Sequence, residues 1–293
     1  MVFNATCRLV RLFPQGLSYA IGDASTWLAW RLMNRTRAAV TDNLSALFPD
    51  ETDPQLTQRA LRTYRSYARD VVDFLCALRA PGHEAAMLVD VPPERAQVFT
   101  DLLARGRGIV LVGGHYGNWE FGGILMRRVL DLPLTVIAMA EAAGEANRIR
   151  REIRDGLGID TLEVRQSLDT ALQIRRRLGE NRVVAFLMDR HIGRDRVAVS
   201  LFGRPAWFLR TPVLMAYLTD APLLPCFIER AGRGLFTVFV GTPIEVSRDL
   251  PRDVAIQRAA QQFADQLGER VRQHPDYWYH FYRYWDAQRD LVN

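Results

Sequence analysis

The sequence predicts an α/β protein in which a central mixed, mostly parallel sheet is flanked by helices. Short apolar runs without alternation, such as Ile109–Val112 and Arg182–Met188, are typical of strands that are buried on both faces of a sheet. Helical periodicity separates these runs, and a chain that alternates between strands and helices favours parallel pairing. The third observation is a long helical stretch before the first strand, which predicts a helical N-terminal extension.

The same periodicities place the individual elements of the core. The alternation of helices and strands begins at about residue 93. Predicted helices cover 94–105, a stretch from about Trp119, 144–156, 167–179 and 252–273. Predicted strands are Ile109–Val112, Leu134–Met139, 161–164, Arg182–Met188, Leu223–Ile228 and Leu235–Val240.

The first 92 residues are predicted to be helical. Asp53 and Pro54 form a helix start, with Asp as the N-cap and Pro in the first turn. An amphipathic pattern follows, and Pro81-Gly82 is expected to end it. We therefore divide the chain into a helical extension, residues 1–92, and one compact α/β core, residues 93–293.

The N-terminal segment has features of a helix that lies on a membrane. A spanning helix needs roughly 20 mostly apolar residues in a row, and Leu9–Met33 is interrupted by proline, aspartate and arginine. Trp27 and Trp30 beside Arg31 are typical of an interfacial anchor. A soluble amphipathic helix packed on its own domain fits the pattern equally well.

Charge and cysteine content limit the possible partners. The net charge of +5 and a pI near 9.4 suit an anionic partner, such as an anionic lipid or an acidic carrier protein. The arginines are not arranged in a nucleic-acid-binding pattern, so we expect no nucleic-acid partner. Three scattered cysteines indicate a reducing compartment, and the sparse histidines and cysteines predict neither a metal site nor a cofactor.

Gly113–Glu120, which reads GGHYGNWE, is the segment with the strongest chemical content. It follows an apolar strand and begins a helix, and the carboxyl ends of strands are where α/β sheets place their sites. His115 can act as a general base near neutral pH. Glu120, in the first helical turn, is expected to turn back toward His115 and fix its tautomer. Alternatively, Glu120 only complements the helix dipole, Asn118 is only an N-cap, and His115 is an ordinary loop residue.

Several other site types lack their sequence patterns. The chain has no GxSxG, GxGxxG, GxxxxGK[ST] or HExxH motif. A histidine–carboxylate pair without a nucleophilic Ser or Cys suits direct transfer, in which the base activates a hydroxyl of the substrate.

At this point the sequence resembles the late acyltransferases of lipid A biosynthesis, the lauroyl/myristoyl transferase type. That family includes related enzymes of other bacterial glycolipids, such as phosphatidylinositol mannoside acyltransferases. Its H-x4-[DE] signature reads His115 to Glu120 here. Further matching blocks follow in the family's order: Asn43-Leu44 with Phe48-Pro49; Asn147, Arg154 and Gly158; Met188-Asp189-Arg190 with Phe202-Gly203; Leu224-Pro225; and Pro275–Trp285.

The resemblance implies a membrane-associated O-acyltransferase at the cytoplasmic face of the bacterial inner membrane. The donor would be an acyl thioester on acyl carrier protein or coenzyme A, and the acceptor a lipid A precursor or a related glycolipid of lipopolysaccharide or glycolipid biosynthesis. His115 and Glu120 would be catalytic. A different lipid or secondary-metabolite acceptor, a thioester or lipid hydrolase, and a non-catalytic membrane-binding protein stay open, as does the oligomeric state. The residues implied to bind substrate are Asn118, Asn147, Arg154, Asp189, Arg190, Phe202 and Gly203.

Overall fold

The protein is described from a computed structural model, which covers residues 13–76, 88–139, 145–156, 158–164 and 168–289. It opens with three helices: α1 (Gln15–Leu32), α2 (Asn34–Leu47) and α3 (Asp53–Cys76). The predicted start at Asp53 is confirmed, whereas the predicted end at Pro81-Gly82 lies outside the described residues. In the parts of the chain just listed, no helix has the length and apolar character needed to cross a membrane.

Seven strands form the central sheet, and two more form a separate hairpin. The sheet strands are β1 (Leu88–Asp90), β2 (Ile109–Gly113), β3 (Leu134–Met139), β4 (Asp160–Val164), β5 (Val183–Leu187), β8 (Leu223–Gly232) and β9 (Leu235–Val240). The hairpin strands are β6 (Val197–Leu201) and β7 (Arg204–Phe208).

The sheet order is β1-β9-β8-β2-β5-β3-β4. All neighbouring pairs in this order are parallel except β8 and β9, which form an antiparallel hairpin. The prediction of a mostly parallel sheet within an α/β fold is therefore confirmed.

Helices cover both faces of the sheet. Their bounds are α4 (Pro93–Leu103), α5 (Trp119–Arg128), α6 (Glu145–Gly156), α7 (Leu168–Gly179), α8 (Thr211–Thr219), α9 (Arg252–Gln273) and α10 (Tyr284–Arg289), with a 3-10 turn at Pro275–Tyr277. Successive side chains of β2 alternate between two apolar clusters, as the pleat requires. Val110 and Val112 contribute to the cluster that contains the apolar side of α9, and Ile109 and Leu111 to the cluster on the α3 and α5 side.

The β6–β7 hairpin and α8 were not predicted. β6 alternates between buried and more exposed residues, but both strands are only five residues long and β7 begins with Arg204-Pro205, which weakens the strand signal. Its turn residues Phe202 and Gly203 both have positive φ, 53° and 74°, as a tight hairpin turn requires.

The division at residue 92 stays a prediction, but the helical extension is closely joined to the core. The prediction that the first 92 residues are helical is wrong at its end, because Leu88–Asp90 forms β1 and pairs with β9 in the sheet. Asn43 of α2 donates hydrogen bonds to the carbonyls of His280 and Tyr282, at 3.0 and 2.8 Å. Its carboxamide oxygen accepts from the backbone N–H of Tyr284 at 2.9 Å, so α2 holds the C-terminal segment in place.

Candidate active site

The centre of the candidate site lies where β2 and β5 end side by side. These strands are parallel and pair Gly113 with Leu187, so the loops that follow them leave the sheet at the same edge. His115 comes two residues after β2, and Asp189 two residues after β5. The fold therefore brings together two residues that are 74 positions apart in the sequence.

Asp189 is the carboxylate that contacts the His115 ring. Its Oδ1 lies 2.7 Å from Nδ1 of His115, and its Oδ2 accepts from the backbone N–H of the same residue at 2.9 Å. The Asp189 side chain is fully buried, whereas the His115 side chain keeps 17% of its surface exposed. Among the described residues, Nε2 of His115 has no hydrogen-bond partner, so this nitrogen is free to accept a proton.

The surroundings of Asp189 keep it ionised. Burial acts to raise its pKa, but the His115 and His280 rings that donate to it outweigh burial, and the pKa lies well below its ordinary value. An ionised carboxylate only accepts hydrogen bonds, so His115 carries its proton on Nδ1. This is the tautomer that a general base at Nε2 requires.

Glu120 does not take the orienting position that the sequence predicted for it. It lies in the first turn of α5 and forms ion pairs with two arginines of α6: Arg150 at 2.9 Å and Arg154 at 3.3 Å. The Glu120 carboxylate points from α5 toward α6. Asp189 follows the end of β5 and contacts the His115 ring instead. The expected orienting contact is thus corrected to Asp189, and a catalytic role for Glu120 stays a prediction.

The C-terminal aromatic segment completes the surroundings of Asp189. His280 Nε2 lies 2.9 Å from Oδ2, and the indole N–H of Trp278 donates to the same oxygen at 3.4 Å. Burial lowers the pKa of His280 to about 3, with Arg190 and His115 adding to the effect, so its ring is neutral at physiological pH. Sequence reasoning missed both residues individually, because one histidine among aromatic residues gives no periodic or spacing signal.

The loop that carries His115 is fixed by backbone contacts on two sides. Gly117 has a φ of 61°, and a Cβ at this position would lie 2.0 Å from the carbonyl oxygen of Ile228, so only glycine fits. Its N–H donates to the Tyr277 carbonyl at 2.8 Å, and the Tyr279 N–H donates to the His115 carbonyl at 2.7 Å. The close approach to Ile228 therefore explains the glycine at position 117.

The remaining predicted binding residues have varied surroundings. Asn118 is the N-cap of α5, accepts from the Phe121 N–H at 3.1 Å and donates to the Asp70 carbonyl at 3.2 Å. Arg190 donates to the Tyr279 carbonyl at 3.1 Å and to Nδ1 of His280 at 3.3 Å. It therefore helps to hold the segment that carries His280. The side chain of Asn147 lies outside the described part of the chain.

Phe202 and Gly203 form the tip of the β6–β7 hairpin, as described above. The Phe202 ring packs edge-on against Trp278, with 5.6 Å between ring centroids. Phe202 therefore contacts the site through Trp278, and substrate binding by either residue stays a prediction.

One group of described residues offers ligand atoms close enough for a metal ion. Atoms of His115, Asp189 and His280 lie within 4.8 Å of one another. Two ligands at about 2.0–2.1 Å from a tetrahedral ion would be roughly 3.3 Å apart. The observed contacts of 2.7 and 2.9 Å are shorter and fit direct hydrogen bonds.

Comparison with known proteins decides the family. A sequence profile described as bacterial lipid A biosynthesis acyltransferase matches residues 1–287. The chain belongs to this family. The resemblance inferred from the motifs is confirmed, and the protein is an acyltransferase.

The chain is also similar to proteins named phosphatidylinositol mannoside acyltransferase. Phosphatidylinositol mannoside acyltransferase of Mycolicibacterium smegmatis is 27% identical over 246 residues, which cover 80% of this chain and 76% of that protein. The protein of the same name from Mycobacterium tuberculosis H37Rv is 30% identical over 190 residues, which cover 63% of this chain and 57% of that protein. Together with the family, these relatives indicate an acyltransferase that acts on a lipid or glycolipid.

Proposed function

We propose that this acyltransferase moves a fatty acyl chain from a thioester to a hydroxyl of a lipid or glycolipid, with His115 as the general base. The observation that carries the proposal is the contact between Nδ1 of His115 and the buried Asp189, at 2.7 Å. It leaves Nε2 without a partner among the described residues, which is the arrangement of a base that is ready to accept a proton.

The transfer proceeds in two steps. Nε2 of His115 takes the proton of the acceptor hydroxyl while the hydroxyl oxygen attacks the thioester carbonyl. The tetrahedral intermediate then collapses, the C–S bond breaks, and the imidazolium returns the proton to the thiolate. The products are an ester and a free thiol, and base catalysis of this kind contributes roughly 10²–10⁴-fold.

The negative charge of the intermediate needs a donor. The N–H groups of His115, Gly117 and Asn118 already donate within the protein. Arg154 is the better candidate, because its ion pair with Glu120 fixes it while 19% of its side-chain surface stays exposed. Glu120 would then act by positioning Arg154, and each such donor is worth about 3 kcal/mol.

The acceptor and donor are proposed from the family. A mannosylated phosphoinositide, as in the names of the mycobacterial relatives, and a lipid A precursor are the two acceptors that we favour. Acyl carrier protein and coenzyme A are both anionic, and a basic chain with pI near 9.4 attracts either by electrostatic steering.

We place the enzyme on the cytoplasmic face of the bacterial inner membrane, with α1 lying on the lipid surface. The support is an exposed apolar side of α1 that includes Leu17, Trp27, Leu28 and Leu32. Arg31 stacks over the Trp27 ring at 4.7 Å and adds a positive charge at that surface. An apolar helix face with cationic flanks is typical of interfacial binding.

The test is an incubation of the wild-type protein with acyl carrier protein or coenzyme A thioesters and total bacterial lipids, read by mass spectrometry. We expect one lipid to gain one acyl mass with wild type and not with His115→Ala. His274→Ala is the matched control, because the His274 side chain is 47% exposed and lies outside the site. Free fatty acid as the sole product would identify a hydrolase, and no turnover by folded protein would contradict the enzyme proposal.

A further inference from the structure

A cavity of about 320 Å³ lies between α1, α3 and the β8–β9 turn. We call it the arginine pocket, after the residues that define it together with Tyr19, Asp23 and Gly232: Arg69, Arg230 and Arg233. None of these residues belongs to the candidate active site. Asp23 lies beside Arg69, and Asp70 and Asp73 lie behind Arg230, so Arg233 carries the positive charge that no carboxylate of the described residues balances. An arginine in this position suits an anionic ligand.

Arg230 forms the rigid back of the arginine pocket. Its side chain is only 10% exposed, and it forms an ion pair with Asp70 at 2.5 Å and another with Asp73. Its Nη1 also donates to the Tyr19 hydroxyl at 3.2 Å. These contacts hold the guanidinium in place before any ligand binds, and such preorganisation lowers the entropic cost of binding.

Arg69 and Arg233 lie at the mouth of the arginine pocket. Arg69 is 45% exposed and has a long contact of 3.5 Å with Asp23. Arg233 stacks over the Tyr19 ring at 5.2 Å, and no carboxylate of the described residues forms an ion pair with it. Its charge is therefore available to a ligand.

The arginine pocket adjoins the exposed apolar side of α1. Asp23, which lines the pocket, and Trp27, which is 59% exposed, are one helical turn apart on α1. A helix that lies on a lipid surface with this side would bring the pocket mouth to the depth of the headgroups, where lipid phosphates lie.

The geometry points to the arginine pocket as a binding site for the phosphate group of an anionic membrane phospholipid. The planar guanidinium fork matches phosphate oxygens in pairs, and an arginine near an anionic surface contributes about 1 kcal/mol. The inference rests on the proposed position of α1 on the membrane. It is independent of the acyl-transfer chemistry, because no pocket residue is among the described partners of His115 or Asp189.

The experiment measures co-sedimentation of the full chain with vesicles of phosphatidylcholine alone or of an equimolar mixture with phosphatidylglycerol. We expect tighter binding to the anionic vesicles, and a roughly five-fold loss of that affinity in Arg233→Gln. Arg258→Gln is the matched control, because it removes the same charge from an exposed position on α9, which covers the opposite face of the sheet. Binding to neutral vesicles should be the same for all three proteins.

Two outcomes would overturn the proposal. Equal losses in Arg233→Gln and Arg258→Gln, or no loss in either, would leave only a general attraction of a basic protein to an anionic surface. Inorganic phosphate is the second probe. Thermal stabilisation of wild type by phosphate that is lost in Arg233→Gln, without any preference for anionic vesicles, would assign the arginine pocket to a free anion instead of a lipid.

Discussion

Two buried carboxylates of this protein have pKa values that are shifted in opposite directions. The pKa of Asp189 lies well below its ordinary value, whereas burial raises the pKa of Asp70 to about 6. Burial penalises the charged form of both groups. The difference therefore comes from their neighbours.

Asp189 is surrounded by N–H donors: the backbone and ring of His115, the His280 ring and the Trp278 indole. Asp70 accepts from Arg230 and from the Tyr279 hydroxyl, but Asp73 lies beside it and repels its charge. Two carboxylates share one arginine there. Asp189, which contacts the proposed base, is therefore kept ionised by its N–H donors. Asp70, which joins α3 to the sheet, is protonated more easily because a second carboxylate lies beside it.

The largest effect that we expect comes from Asp189→Asn. Asparagine presents an N–H to His115 and favours the wrong tautomer, so kcat should fall by roughly 10³–10⁴-fold. The Nδ1–H proton of His115, followed by NMR, should disappear in this variant. Glu120→Gln also lowers kcat, because Arg154 loses its partner, but it should keep the Nδ1–H signal. Loss of that signal in Glu120→Gln alone would reverse the assignment of the orienting carboxylate.

The next effect concerns Arg230→Met, which leaves Asp70 and Asp73 buried without their shared cation. Removing one partner of a buried ion pair costs about 3–5 kcal/mol, and urea unfolding should record that loss. Arg107→Met is the control, since its ion pair with Asp220 is half exposed and should contribute about 1 kcal/mol or less. Equal losses in the two variants would show that the buried network adds no specific stability.

The smallest effect is a pH dependence with opposite signs in the two clusters. The folded-state pKa of His280 is lowered from 6.5 to about 3, so its stabilising contribution is present above pH 6.5 and is lost as the pH falls. The folded-state pKa of Asp70 is raised from 3.8 to about 6, so its contribution is present below pH 3.8 and is lost as the pH rises through 6.

As the pH falls from about 6.5 to 4, His280→Asn should therefore become more stable relative to wild type. Over the same range Asp70→Asn should become less stable relative to wild type. Each change is on the order of 3 kcal/mol, read from urea unfolding at a series of pH values. Parallel curves for wild type and both variants would contradict the two shifts.

Much of the fold could be predicted from the sequence, because its strands are buried on both faces. Leu134–Met139 and Leu235–Val240 were placed at their observed bounds, as was the helix at 252–273. The β6–β7 hairpin was missed, since its strands are short and partly exposed. A five-residue alternation followed by a strand that contains a proline gives only a weak local signal.

The candidate site was predicted in part, and the missing part depends on tertiary pairing. His115 was identified from its position after an apolar strand, whereas Asp189 was predicted to bind substrate and not to orient the histidine. The contact between them follows from β2 and β5 being neighbours in the sheet, although β3 and β4 separate them in the chain. No local pattern reports that order, so the nearer Glu120 was chosen instead.

Two adjacent charged residues of β8, Glu229 and Arg230, also help to fix the register of this strand in the sheet. Glu229 faces one side of the sheet and contacts Arg270 of α9, and Arg230 faces the other side and contacts Asp70. A slip of one position would exchange these side chains between the faces. Glutamate would then meet aspartates, and arginine would meet arginine, in surroundings with little water. The order of Glu229 and Arg230 therefore disfavours the misaligned sheet, and it does so on a strand whose two faces are both apolar.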